Sequence, residues 1–564
     1  MTAPSPPISR TLVAVLALLV AVLWFGGLGM RKLIHPDEGR YAEIAREMAV
    51  SGDGVTPRLN GLKYLEKPPL QYWMTALAYR SFGVAEWTAR LWPAFTAFAA
   101  VLVVGCAGHF LGGRAMGLYS ALALAGMAGY AVNGHMLSLD AGLAAFLATA
   151  LAALLIAQRP DASPASSRNW MLVAWAAMAF ATLSKGLIGI VLPGGALVVY
   201  TLLQRDFALW RRLYIGRGLL LFVAIAAPWF VLVANANAEF LQFFFVHEHF
   251  QRFAEPGHRR PGSWWYFVPL LLGGSLPWLP VLVAGTRQLV VATPPGPNGF
   301  SWQRFALAWV AFVFVFFSAS NSKLPSYIVP LFPALALLTG WLLARSEPRT
   351  LARLCAPLTV AALVALAGTA FVDEALLRRY VDPGRQPLAP LVAFVPWLAA
   401  ALAVCVAGGG LAWVAFRGNH PGGRTLGIAA VALSALCAVR VGEFGYDSFR
   451  VTRSAYDLLQ RADASAGGLR RDVPFYQVRM YEQTTPFYLG RTTTLVEFGD
   501  ELALGIAAQP DRVHARLADW VPVWRALDAG YALMSVDDHA LLAAQAMPMR
   551  ELARDTRRVL VSRQ

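Results

Sequence analysis

Long apolar runs alternate with short basic loops along most of this chain, and the pattern changes in two places: between residues 31 and 87, and again after about residue 442. The runs are near the length needed to cross a bilayer as a helix, and the pattern predicts about thirteen spans. Their approximate limits are 11–30, 88–110, 115–133, 139–157, 170–184, 186–204, 217–235, 266–287, 304–319, 326–343, 353–371, 391–415 and 424–441. The first is long for a signal-peptide core and lacks a cleavage site, so it reads as a retained helix.

Loop charge orients the spans. Arg114, Arg159, Arg168, Arg205, Arg211, Arg212, Arg287, Arg345, Arg349 and Arg417 fall in one alternate set of loops, which is basic and short and so belongs on the cytoplasmic face. The opposite set holds residues 31–87, 134–138, the Ser184-Lys185-Gly186 turn, 236–265, 320–325, 372–390 and the tail. Nearly every unusual polar residue falls in this second, extracytoplasmic set.

Between the first two spans the period becomes that of amphipathic helices. Tyr41, Ile44, Ala45 and Met48 form a stripe opposite Arg40, Glu43 and Glu47. Pro68 and Pro69 open a second helix carrying Leu70, Trp73, Met74 and Leu77. In the tail, residues 450–462 read as a helix, and 475–479, 492–497, 532–536 and 559–562 as strands. The prediction is an α-helical polytopic membrane protein with interfacial helices and a small C-terminal α/β domain. Residues 1–441 form the transmembrane domain and 442–564 the α/β domain.

Composition narrows the class. The chain of 564 residues is 57% hydrophobic and 14% charged, which excludes a soluble globular protein. The net charge of +15 sits largely in loop arginines, so topology explains it and no nucleic-acid partner is expected. Cys106, Cys355, Cys405 and Cys437 all lie in apolar runs, and none forms a CxxC pair.

Candidate chemistry begins at His35-Pro36-Asp37-Glu38-Gly39-Arg40-Tyr41, where two adjacent carboxylates stand at the membrane face. Ionisable groups there are costly to desolvate and are usually kept for a use. Asp37 suits a carboxylate that orients or deprotonates an acceptor, and equally suits a helix N-cap. Tyr64, Glu66 and Lys67 follow in Tyr64-Leu65-Glu66-Lys67-Pro68-Pro69. That pair is either a surface ion pair or a phosphate ligand beside a metal or hydroxyl ligand. Asp140 opens a span, where it also suits the helix dipole. Lys185 occupies a tight turn, from which it snorkels or meets an anionic lipid. His247, Glu248, His249 and Arg252 cluster without the HExxH spacing of zinc proteases. Lys323 and Tyr327, four apart, are an interfacial anchor or a phosphate clamp. No GxxxxGK[ST] loop occurs.

The ordered set Asp37-Glu38, Tyr64…Glu66-Lys67-Pro68-Pro69, Asp140, His247…Arg252 and Lys323-Leu324-Pro325…Tyr327 resembles the GT-C membrane glycosyltransferases. More closely, it resembles the bacterial aminoarabinose transferases of lipid A, relatives of the protein O-mannosyltransferases. The resemblance implies a donor of 4-amino-4-deoxy-L-arabinose on undecaprenyl phosphate. It implies a lipid A phosphate as acceptor, and an inner-membrane enzyme whose active site faces the periplasm. By the same resemblance Asp37 is the key carboxylate, with Glu38 beside it and Asp140 in support. Lys67, Arg252 and Tyr327 would hold the lipid phosphate, with Tyr41, Tyr64, Lys185 and Lys323 as further substrate-binding groups. Glu66 and His247 would hold a divalent ion, zinc or magnesium, that turnover does not require. A monomer among membrane lipids is expected.

Two other readings compete. One is a related polyprenyl-phosphate-sugar transferase with a protein or polysaccharide acceptor. The other is a lipid transporter or flippase, which predicts midplane polar groups and inverted repeats. Here the charges collect on one face and no repeat is evident.

Overall fold

The apolar runs form helices. In the computed structural model, eight of them among the described residues are long and apolar enough to cross a membrane, which makes this a multi-pass membrane protein. The structure describes residues 8–251, 262–291, 299–382, 384, 386–418 and 420–563, without the side chains of 247–251. A bent pair, Phe267–Gly274 and Leu279–Val291, turns by 101° and raises the number to nine if it is one span. The apolar helices Arg10–Phe25 and Ile188–Gln204 are shorter. The expected thirteen are therefore not reproduced by length and composition alone.

One of the eight, Glu86–Gly126, contains the predicted run 88–110 and most of the run 115–133. Its backbone leaves helical geometry at Gly112 and Gly113, and Gly113 has φ 85°, a region glycine enters without strain. A Cβ on Gly117 would stand 2.7 Å from the Gly105 carbonyl oxygen, so the limbs on either side of the break lie against each other.

The chain divides into two compact units. The first is Met1–Gly27, Trp92–Phe371 and Pro396–Glu443, and the second is Leu28–Leu91, Val372–Val395 and Phe444–Gln564. A boundary drawn at residue 441 misses that 28–91 belongs with the tail. The reason is hydrogen bonding: Tyr488 Oη accepts from Leu33 N at 2.8 Å, and Asp447 accepts from Lys32 N at 2.8 Å.

In the first unit, Leu139–Ala157 is buried along almost its whole length, as is Pro325–Arg345. The alanines of Leu139–Ala157 let neighbouring helices approach closely, as membrane packing requires. Ala389–Arg417, whose residues from Pro396 on belong to this unit, buries few of its side chains, which suits contact with lipid tails.

In the second unit, the helix Asp37–Ser51 is followed by a hairpin of β1 (Arg58–Leu59) and β2 (Leu62–Lys63). Asn60 and Gly61 turn it, with φ of 56° and 77°, the left-handed pair that matches strand twist. The Asn60 amide then clamps the tail: it donates to Thr493 O and accepts from Thr493 N, each at 2.7 Å. Leu70–Phe82 starts directly after Pro68 and Pro69, as predicted.

The tail builds a six-stranded mixed sheet. Its strands are β3 (Phe475–Val478), β4 (Thr494–Val496), β5 (Val513–His514), β6 (Gly530–Ser535), β7 (Arg550–Arg554) and β8 (Arg558–Arg563). Their order is β5-β4-β3-β6-β8-β7, parallel through β6 and antiparallel beyond. Alternate residues serve opposite faces. Tyr531 and Leu533 join the core with Leu458 and Ala462, while Ala532 and Met534 pack with Trp520 and Trp524. Four strands match the prediction; β5 and β7 do not appear in it. The predicted helix 450–462 is broken at Ser454, whose φ of −140° and ψ of 150° are extended, and resumes as Tyr456–Ala466.

Candidate functional site

Asp37 is the first residue of its helix, and the preceding position is Pro36, so no side chain caps this N-terminus. The N-cap role open to Asp37 on sequence is not the one it takes. Its carboxylate accepts from Arg40 Nη1 at 2.9 Å, one turn on, and keeps 39% of its side-chain surface exposed. Arg40 also ion-pairs with Glu501, which in turn accepts from Gln483 Nε2 at 2.7 Å. Burial works against the charge on Arg40, but Tyr64, Glu501, Tyr41 and Asp37 outweigh it and hold the guanidinium firmly protonated. Burial pushes the Glu501 carboxyl up, with Arg40 opposing. The result is an accessible carboxylate pinned to a buried cation.

Tyr41 packs at a tilt beside Tyr72, with ring centroids 6.1 Å apart, and the Arg40 guanidinium lies 5.8 Å from the Tyr41 ring. Tyr64 Oη donates to Glu66 at 3.0 Å, and Lys67 Nζ donates to the Glu66 carbonyl oxygen at 3.0 Å. Burial, reinforced by Glu66, pushes the Tyr64 phenol well up, so it stays a donor. The Tyr72 hydroxyl is buried with no hydrogen-bond partner among the described residues.

Glu38 sits differently. It is 1% exposed, and both oxygens are held by Arg31 at 2.8 Å and by Arg90 at 2.9 Å. Burial alone would raise its carboxyl, but Arg31 and Arg90 hold it far below the usual range. Arg90 also donates to the carbonyls of Leu28, Arg31 and Lys32. That is the geometry of a brace that shapes the turn into the helix, rather than of a reacting group. The acidic helix is likewise not half-solvated as its stripe predicts, for Glu43 on the polar side is fully buried. Gly39 explains how: a Cβ there would stand 2.7 Å from backbone atoms of Gln483 and Thr484.

In the first unit, three candidates meet. Asp140 lies in the first turn of Leu139–Ala157 and ion-pairs with Lys185 at the end of Pro164–Lys185. The same ammonium lies 4.7 Å from the centre of the Tyr327 ring. Ser138, directly before that helix, has a buried hydroxyl with no partner among the described residues. Lys323 does something else. Its ammonium donates to the carbonyls of Ser318 at 2.8 Å and Ser320 at 2.9 Å, closing the end of the helix Trp302–Ala319. A lysine there satisfies the last carbonyls and the helix dipole.

The side chain of His247 and all of Arg252 lie outside the described residues. Among the described residues no three His, Cys, Asp or Glu side chains form a cluster suited to a metal ion. Sequence reasoning missed Glu501, Gln483, Tyr72 and Arg90. Only Tyr72 carried a local signal, in the helix behind the Tyr64–Lys67 stretch.

Comparison with known proteins supplies the family. Residues 462–563 match the aminoarabinose transferase C-terminal domain, and residues 8–249 match dolichyl-phosphate-mannose-protein mannosyltransferase. An undecaprenyl phosphate-alpha-4-amino-4-deoxy-L-arabinose arabinosyl transferase of Shewanella sediminis is 30% identical over 437 residues, 75% of each chain. One of Erwinia tasmaniensis is 30% identical over 332 residues. The chain spans little more than half, 57%, of that relative's length. The crystal structure of ArnT from Cupriavidus metallidurans bound to undecaprenyl phosphate superposes with a TM-score of 0.91. It is 37% identical, and the match covers 99% of each chain. The chain therefore belongs to the aminoarabinose transferase family.

Proposed function

We propose that this protein is a membrane glycosyltransferase that moves 4-amino-4-deoxy-L-arabinose from undecaprenyl phosphate to phosphate groups of lipid A, a change that confers resistance to cationic peptides such as polymyxin. The observation that carries the reading is the full-length similarity to an ArnT that holds undecaprenyl phosphate. The protein is an inner-membrane monomer with its chemistry on the periplasmic face. It crosses the bilayer thirteen times, counting both limbs of Glu86–Gly126, the bent pair as one, and the helices Arg10–Phe25, Pro164–Lys185 and Ile188–Gln204.

The bond from the sugar's anomeric carbon to the donor phosphate breaks, and a lipid A phosphate oxygen bonds to that carbon. Undecaprenyl phosphate leaves with the electron pair. The transition state is oxocarbenium-like, with charge growing on the departing phosphate. Cations placed there stabilise it. Lys67, Arg252 and Tyr327 are the groups assigned that role. Arg252 grips as a fork and Lys67 as a point charge. The acceptor is already an anion, so no strong base is needed. Asp37 then positions the sugar's amine or the acceptor, held in place by Arg40. Lys185 and Asp140 hold Tyr327 and the substrate's polar groups. Tyr41 and Tyr64 line the sugar, and Glu38 keeps Asp37 in register. No step depends on a metal; Glu66 and His247 remain its candidate ligands.

Mass spectrometry of lipid A from a strain without this activity, with and without the protein, tests the reading. A gain of one aminopentose on phosphate supports it, and no gain rejects it.

A further inference from the structure

The first helix, Arg10–Phe25, is tied to its neighbours at both ends and open between. At one end, Trp24 Nε1 donates to Ala94 O at 2.9 Å and Phe25 packs edge-on against Phe98 with centroids 5.3 Å apart. At the other, Arg114 Nη1 donates to Ile8 O at 2.9 Å. Between these ties, the helix and the two limbs of Glu86–Gly126 enclose a groove of about 410 Å³. Its walls are apolar, with Leu16 and Val20 on one side and Val101 and Leu122 on the other. Arg10, His109 and Arg114 line it too, on the side of the basic loops. All three are exposed, and among the described residues none forms an ion pair with a carboxylate.

An apolar trough with two unneutralised arginines at one end is not explained by packing, because a close-packed helix pair would have closed it. We propose that this groove binds one anionic phospholipid of the basic-loop leaflet. An acyl chain lies along Leu16 and Val20, and the headgroup phosphate sits between Arg10, His109 and Arg114. Charge complementarity selects the occupant. Basic pockets between transmembrane helices on the cytoplasmic side suit anionic headgroups, and guanidinium groups suit phosphate oxygens. A zwitterionic lipid offers the same chain but brings its own cation to the same place. The lipid completes the packing of the first helix, which the protein's own side chains leave unfinished.

Native mass spectrometry of the full chain, stripped of lipid and titrated with dioleoyl phosphatidylglycerol or dioleoyl phosphatidylcholine, tests this. The phosphatidylglycerol should bind roughly thirtyfold more tightly, the effect of two arginines near a headgroup. Arg10→Gln with Arg114→Gln should remove that preference. Arg10→Gln alone disturbs no described side-chain hydrogen bond and should reduce it. Ala17→Phe, on the exposed lining of the groove, keeps every cation and should abolish tight phosphatidylglycerol binding. Equal affinity for the two lipids, or a preference that survives the double substitution, would overturn the proposal. So would phosphatidylglycerol binding unchanged by Ala17→Phe.

Discussion

The carboxylate of Glu38 and the guanidinium of Arg90 meet through two bonds of 2.9 Å, with 1% and 2% of the two side chains exposed. Arg31 closes the other side of the same carboxylate. A buried pair of this kind contributes little over an apolar replacement of the whole set, but removing one partner strands the other's charge. Glu38→Ala should therefore cost about 3–5 kcal/mol of stability. The thermal midpoint in detergent checks it: a large fall is expected, and an unchanged midpoint with lost transfer would make Glu38 a reacting group instead.

Glu43 gives the stability a pH dependence. It is fully buried, and Arg46 donates to it at 2.6 and 2.7 Å. Glu47, one turn on, accepts from Gly61 N at 2.9 Å. One guanidinium serves two buried carboxyls, and burial pushes Glu43 up to about 8 from 4.5 despite Arg46. A carboxyl raised on folding binds its proton more tightly in the folded state. Its contribution is complete below pH 4.5 and is lost as pH rises through about 8. Stability should fall between pH 5 and 9 by an amount on the order of a few kcal/mol, and the thermal midpoint should fall with it. Glu43→Gln, neutral throughout, should flatten that slope; an equal slope in the variant would contradict the assignment.

The two lysines of the first unit should separate. Lys323→Gln loses a carbonyl cap and should cost about 1 kcal/mol of stability while leaving affinity for undecaprenyl phosphate unchanged. A phosphate ligand would instead lose roughly tenfold or more in affinity. Lys185→Gln leaves Asp140, 8% exposed, without its cation and should weaken both midpoint and affinity. Binding isotherms for the two variants beside the wild type decide it.

What the sequence disclosed follows from the range of the forces involved. Hydrophobic run length is local, so each predicted span has helix within it. Whether Arg10–Phe25 counts as a span depends on its neighbours and on length. The apolar run within 532–536 is also local, and it marked β6; β5 has two residues and β7 carries a bulge, so neither leaves a pattern. The Asn60-Gly61 pair between two leucines was a readable turn signal that the proximity of charged motifs obscured. Asp37 stood out by its place at a membrane face. Its fixation through Arg40 to Glu501 did not, since that contact joins two ends of the chain. Lys323 was ambiguous because a phosphate clamp and a helix-end cap need the same side chain at the same depth.

The most direct measurement of the central claim is the initial rate of aminoarabinose transfer from undecaprenyl phosphate to lipid A by the purified full chain, with Asp37→Asn beside the wild type. Asp37 is part exposed and makes one bond within its own helix, so the variant should keep its thermal midpoint. Transfer by the wild type, with a loss of about 100-fold or more in Asp37→Asn, is the predicted result. No transfer by the folded wild type, or a folded Asp37→Asn that transfers at the same rate, would contradict it.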